Sequence, residues 1–160
     1  RDWSSDVCSS DLAQVTIDFE DWSWNNPYAR CMKKGDLPSV RWLKETYLRN
    51  ALDILRRSVQ LSRALFQRDI SHILLLHIGG LDAEMLESLL TMYEKAGVEF
   101  IPLSEAVTDE VYSIDPGIAG ELGSEFQYQI LKSRKLTLKD VGMTPYQGYP
   151  EEKLQSICQQ

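Results

Sequence analysis

Two histidines occur in the 160 residues, His72 and His77, and they flank the apolar run Ile73-Leu74-Leu75-Leu76. Read as a strand, that run sends its side chains alternately to two faces, so residues five apart point in opposite directions. The two rings therefore cannot share a metal ion. His77, at the strand's C-terminal end, is the candidate for chemistry, because α/β barrels and open α/β sheets alike build their sites there. His72, at the start, reads as structural or exposed. A second group of candidates lies at the end of an earlier strand: Asp18, Glu20 and Asp21, with Trp22 and Trp24 beside them. A carboxylate near a histidine favours the imidazolium and raises its pKa, which makes the ring a useful general acid near neutrality. Tryptophan can stack on a sugar ring or wall an acyl pocket. The competing reading makes His77 a hydrogen-bonded core residue and the carboxylates a solvated loop, and the residues alone weigh the two about equally.

The elements that must position these residues follow from periodicity. Val15, Ile17 and Phe19 alternate with polar residues and are β-branched or aromatic, which predicts a strand ending near Glu20. Residues 21–38 read as a loop, because Asn25-Asn26-Pro27 and Gly35-Asp36-Leu37-Pro38 are turn chemistry. From Ser39, Val40, Leu43, Tyr47, Ala51, Ile54, Leu55, Val59 and Leu65 mark one face of a long amphipathic helix. Ile73 to Leu76 is the kind of unbroken run that suits a strand buried on both faces. Gly79-Gly80 ends it, without the third glycine and spacing of a phosphate-binding loop. Asp82 reads as the cap of a second helix, with Leu86, Leu89, Leu90 and Tyr93 on one face and Gly97 at its end. Val98 to Ile101 reads as a third strand and Ser104-Glu105 as the start of a short helix. Strand, helix, strand, helix, strand, helix is the order of βα units, so the predicted fold class is α/β with parallel strands. Beyond Asp115-Pro116-Gly117, helices are expected near 121–133 and 151–158.

Composition bounds the rest. The formal charge is −7, of which −2 comes from Arg1, Asp2, Asp6 and Asp11. Lysines and arginines are scattered, which excludes the electrostatic footprint of a nucleic-acid binder. No apolar run approaches the roughly eighteen residues of a membrane span. Cys31 and Cys158 are far apart and in no CxxC pattern, which predicts neither a zinc site nor a disulfide framework. Asp2 to Leu12 matches the translation of a common short-read sequencing adapter. Residues 1–12 are therefore expected to be an artefact, disordered and without packing contacts, and the natural sequence to begin near Ala13, part-way through a gene.

With those residues in place, a family resemblance can be stated. Asp18-Phe19-Glu20-Asp21-Trp22 resembles the D-x-x-D-W motif of NodB-type polysaccharide deacetylases (carbohydrate esterase family 4), and Leu75-Leu76-His77 resembles their late L-x-H motif. The run YEKAGVEFIPLSEA, from Tyr93, is similar to the helix–strand–helix that closes such domains. The likeness covers about residues 15–112. It implies the C-terminal portion of a distorted (β/α) barrel over residues 13–112, incomplete, followed by a helical extension over 113–160. It implies metal-dependent hydrolysis of N-acetyl, sometimes O-acetyl, groups on a carbohydrate polymer. His77 would be the general acid, Asp21 would hold and charge-tune it, and Trp22 and Leu75 would line the pocket for the acetyl methyl. Gly79-Gly80 stand where the family frequently has an aspartate.

The family's earlier motifs are absent from this chain: the T-F-D-D-type strand end that supplies the base and a metal ligand, the H-x-x-x-H metal pair and the arginine–proline motif. The intact enzyme would hold a divalent metal, zinc by expectation, and act on an acetylated polysaccharide. This chain is expected to supply no metal ligand, to bind no metal and to be inactive alone. The compartment stays open, with an extracytoplasmic or secreted one favoured by the resemblance. Two other readings compete. One is a barrel glycoside hydrolase using Asp18, Glu20 or Asp21 as its carboxyl pair, ranked lower because such pairs straddle a bond about 5–9.5 Å apart and neighbours on one strand seldom do. The other is a non-catalytic carbohydrate-binding module with Trp22, Trp24 and Tyr28 as a stacking platform.

Overall fold

A computed structural model describes residues 13–118 and 125–159. Among the described residues six α-helices run in chain order: α1 (Asn25–Lys34), α2 (Leu37–Phe66), α3 (Gly80–Lys95), α4 (Leu103–Ala106), α5 (Phe126–Ser133) and α6 (Glu151–Ser156). Short 3-10 turns lie at Asp21–Trp24, Glu110–Ser113 and Leu138–Val141. The expectation for residues 1–12 lies outside the described residues. None of the described helices is long and apolar enough to cross a membrane.

The long helix α2 organises the molecule. Asp36 starts it by accepting the Ser39 amide at 3.1 Å, with Pro38 in the first turn, where a missing N–H costs nothing. Val40, Leu43, Tyr47, Ala51 and Leu55, spaced three and four apart, bury one face in a cluster with Ile17, Phe19, Trp24, Leu81, Met85, Leu89 and Tyr93. Farther along, Leu61 and Leu65 enter a second cluster with Ile70, Val111, Phe126, Ile130, Leu131 and Met143. At 1.5 Å per residue the helix is roughly 45 Å long, enough to serve both clusters. Of the stripe predicted for this helix, Val40, Leu43, Tyr47, Ala51, Leu55 and Leu65 are buried and Ile54 and Val59 partly so, while the buried Leu61 lies outside it.

The predicted α/β class, a piece of a parallel (β/α) barrel, is not what forms. Among the described residues the fold is helical, and no run of residues makes a sheet. Two of the three predicted strands meet in a single parallel bridge, Ile17 with Leu74. Thr16 and Ile17 donate to the Ile73 carbonyl and Leu75 donates to Ile17, each at 3.0 Å. The ladder stops at once. The Thr16 hydroxyl takes the Ile73 N–H at 2.8 Å, and the Val15 carbonyl is claimed by the Phe126 amide at 2.8 Å, at the start of α5. The third predicted strand, 98–101, does not pair: Val98 donates back to the Tyr93 carbonyl. An apolar run reports that a backbone is extended, and says nothing about whether a neighbouring strand is there to pair with it.

Two further expectations are corrected. The predicted loop 21–38 is a 3-10 turn followed by α1, for which the turn residues act as punctuation. Pro27 sits in its first turn, and Gly35 closes it with a left-handed φ of 67°, donating to the Cys31 and Met32 carbonyls. Cys31 and Cys158, which their spacing had not linked, form a disulfide with Cα atoms 5.3 Å apart. A separation of 127 residues does not keep them apart, because Leu154 and Ile157 fold back into the first cluster. Arg30 then fastens the tail, donating to the Leu154 carbonyl at 2.8 Å and the Ile157 carbonyl at 3.2 Å.

Candidate functional site

The site begins with a kink. Asp18 accepts the Glu20 amide at 2.8 Å, and Glu20 adopts a left-handed φ of 56°. The chain then turns at Asp21–Trp24 instead of continuing extended. Asn50 of α2 anchors the approach by donating to the Phe19 carbonyl at 3.0 Å. Asp21 thus enters the interior and is fully buried. A buried carboxylate needs partners for both oxygens, and one residue provides them. Oδ1 lies 2.7 Å from the His77 Nδ1, and Oδ2 accepts the His77 backbone N–H. The parallel bridge between Ile17 and Leu74 sets this register: Asp21 lies four residues past Ile17, and His77 lies three past Leu74.

The His77 ring faces the other way. Its side chain is 41% exposed, and among the described residues Nε2 has no protein partner. The hydrogen bond to Asp21 raises the pKa of His77, its partial burial lowers it, and the charges of Asp21, Asp18 and Asp82 raise it further. With Asp21 ionised, Nδ1 carries a proton pinned to the carboxylate and Nε2 remains free to exchange one with solvent or a ligand. A ring so held can donate a proton near neutral pH.

The remaining predicted site residues are placed less tightly. Trp22 is adjacent to Asp21 in the turn and 56% exposed. Leu75 is half-buried two residues before His77, with its amide donating to the Ile17 carbonyl. Both lie near the pair through chain connectivity. A cavity of about 1120 Å³ opens along 69–74 and 96–103, lined by His72 and not by Asp21, Trp22, Leu75 or His77. His72 sits half-buried with Nδ1 3.2 Å from the Thr16 hydroxyl, and burial pulls its pKa down to about 4.

Sequence reasoning missed three residues. Asp82, assigned to a helix cap, is buried in the first turn of α3. It accepts from the Asn25 amide at 2.6 Å and from the Tyr47 hydroxyl at 3.1 Å. Burial raises its pKa, as does the charge of Asp21, while the two hydrogen bonds lower it. In the sequence Asn25 reads as part of a turn, and Tyr47 as one more residue of an apolar stripe. Two polar side chains falling inside otherwise apolar helix faces were the only signal in the sequence.

The described residues contain no group of three or more histidine, cysteine, aspartate or glutamate side chains placed to hold a metal ion. They hold a histidine against a buried carboxylate, a pair that by itself does not fit a metal centre. Comparison of this chain with protein-family models, with curated proteins and with solved structures finds no match.

Proposed function

We propose that this chain carries the proton-donating part of a polysaccharide deacetylase site, one that removes N-acetyl or O-acetyl groups from a carbohydrate polymer. The observation that supports it is the Asp21–His77 pair: a fully buried carboxylate committed to Nδ1 of a solvent-facing imidazole. In this reading the imidazolium delivers its Nε2 proton to the leaving nitrogen or oxygen as the bond to the acetyl carbon breaks. Asp21 keeps the ring oriented and stabilises its charged form. Trp22 and Leu75 would border the acetyl group. The reading rests on the site and on the resemblance of its two motifs, not on fold. Deacetylases of the resembled family use a divalent metal to make the nucleophile. The described residues supply the donor and not the nucleophile, which this reading assigns to residues outside them.

The competing readings lose support from particular residues. Asp21 is spent on His77 and cannot also face a sugar as half of a glycosidase pair. Trp24 is fully buried between Tyr47 and Tyr149, so Trp22, Trp24 and Tyr28 do not form a stacking platform. The test is acetate release from chitin oligomers or acetylated peptidoglycan. The 160-residue chain alone should release none. Joined to a polypeptide bearing the aspartate and H-x-x-x-H motifs, it should gain activity, and His77→Asn should then cost about 10²–10⁴-fold in rate. Chelator-sensitive release by the chain alone, or activity indifferent to His77, would show the reading wrong.

A further inference from the structure

Asn25 touches both the turn that carries Asp21 and the segment that follows His77. It opens α1, immediately after the turn that carries Asp21. Its Oδ1 accepts the Leu81 backbone N–H at 2.9 Å, an amide of the first turn of α3 that has no partner within its own helix. Its Nδ2 donates to Asp82 at 2.6 Å and approaches the Trp22 carbonyl at 3.4 Å. One amide therefore ties the turn holding Asp21 to the segment that follows His77 by four residues.

Gly79 makes room for this contact. Its φ of −156° is ordinary extended backbone, so the glycine is not needed for conformation. It is needed for space: a Cβ there would lie 2.1 Å from Asn25 Nδ2 and 2.2 Å from Cγ and Oδ1. Any other residue at 79 must expel the Asn25 side chain. Gly80 carries no such demand, since its nearest neighbour would be Tyr28 at 3.9 Å.

We propose that Asn25 is a positioning residue for the Asp21–His77 pair, locking the Asp21 turn to the start of α3 through Leu81 and Asp82, with Gly79 as its obligate small neighbour. The proposal rests on the reading of His77 as a proton donor. His77 is bracketed at each end: Leu74 and Leu75 are registered on Ile17, and Leu81 is registered on Asn25. Between those two ties the His77 amide and ring both reach Asp21. Releasing the second tie lets the 77–80 segment move, and the two-point grip on Asp21 loosens while the core around Leu43 and Tyr47 stays packed. The charged and titratable groups facing this spot include Asp18 and Asp21 from the preceding segment, Tyr28 from α1, Tyr47 from α2 and Asp82 from α3.

The test follows the imidazole directly, with no need for catalysis. His77 is titrated by NMR in the full chain, using His77→Gln to assign its signals against His72. In the wild type it should titrate above the ordinary histidine value of about 6.5, with Nδ1 protonated on the neutral ring. Asn25→Ala and Gly79→Ala should each move the midpoint down toward that value and mix the tautomers. Gly80→Ala should leave both unchanged. Asn25→Ser, which keeps a short polar side chain without setting a second carboxylate against Asp82, guards against a variant that does not fold and should shift the midpoint the same way. Variants that melt earlier but titrate like the wild type would make Asn25 merely structural and overturn the proposal, as would loss of folding in both Asn25 variants and Gly79→Ala. A wild-type His77 that titrates at or below the ordinary value would instead remove the proton-donor reading, and this proposal with it.

Discussion

The two histidines of this chain are pushed in opposite directions, and the causes are separable. His77 gains a carboxylate and keeps contact with solvent, so its imidazolium is favoured. His72 loses solvent and gains a neutral hydroxyl, so its imidazolium is disfavoured and its pKa falls to about 4. The consequences for stability have opposite signs. For His72 the folded value lies below the unfolded one, so between about 6.5 and 4 the unfolded chain binds more protons and stability falls as pH falls. We expect the wild type to lose stability relative to His72→Asn across that window, by at most about 3 kcal/mol, as read from urea melts at matched pH. A pH-independent gap would show that His72 is not buried in its neutral form. For His77 the folded value is raised, so its contribution is complete below the unfolded value and is lost as pH rises through the folded one. Asp21→Asn should abolish that upper-pH dependence, as the same melts would show. That an acidic cluster and His77 would meet was legible in the sequence, because each ends an apolar extended run; that Asp21 is the carboxylate came only from the motif resemblance. Asn25, Tyr47 and Asp82 were not, because their roles depend on which helix face meets which turn.

At the scale of elements, sequence patterns read helices better than strands: Leu86, Phe100 and Ile101, expected to be covered, are exposed. The α2 stripe, the short helix at Leu103–Ala106 and the helical character of the C-terminal residues follow from periodicity. The strands do not, since a hydroxyl, a helix start and a missing neighbour take the hydrogen bonds that a sheet would need. The disulfide is a second case: pairing over 127 residues becomes readable only once the tail is seen to return to α1. That return carries weight near the site, because Tyr149 donates to the Ser23 hydroxyl at 2.6 Å inside the Asp21–Trp24 turn. Closing so long a loop removes much entropy from the unfolded chain, about 5 kcal/mol in the chain-entropy account, with about 2–4 kcal/mol more typical in practice. Reduction, or Cys31→Ser with Cys158→Ser, should lower stability by an amount in that range in denaturant melts. Mass spectrometry before and after reduction should show the linked state. Identical melts with and without reductant would mean that the link bears no load.

For the whole molecule, the unresolved tension is between an acidic surface that repels copies of the chain and an apolar opening that attracts them. The cavity of about 1120 Å³ is walled by Leu55 and Val59 of α2, by Ile70 and Leu74, and by Phe100, Ile101 and Leu103, which are 46%, 38% and 54% exposed. Along 99–101 the backbone N–H and C=O groups have no partner among the described residues. Extended, unpaired and apolar is the combination that recruits another strand. A net charge of −7 opposes contact at low salt, and salt screens that opposition within about 10 Å at 0.1 M. We therefore expect the chain to bind an apolar dye and to self-associate increasingly as salt is raised, by fluorescence and light scattering. Replacing Phe100 and Ile101 with lysine puts charge on that edge without emptying either core cluster, since neither residue belongs to one. The double variant should scatter less at every salt concentration and bind less dye, with stability changed by no more than about 1 kcal/mol. If it associates like the wild type, the sticky surface lies elsewhere. If it unfolds, the edge is part of the core that the exposures say it is not.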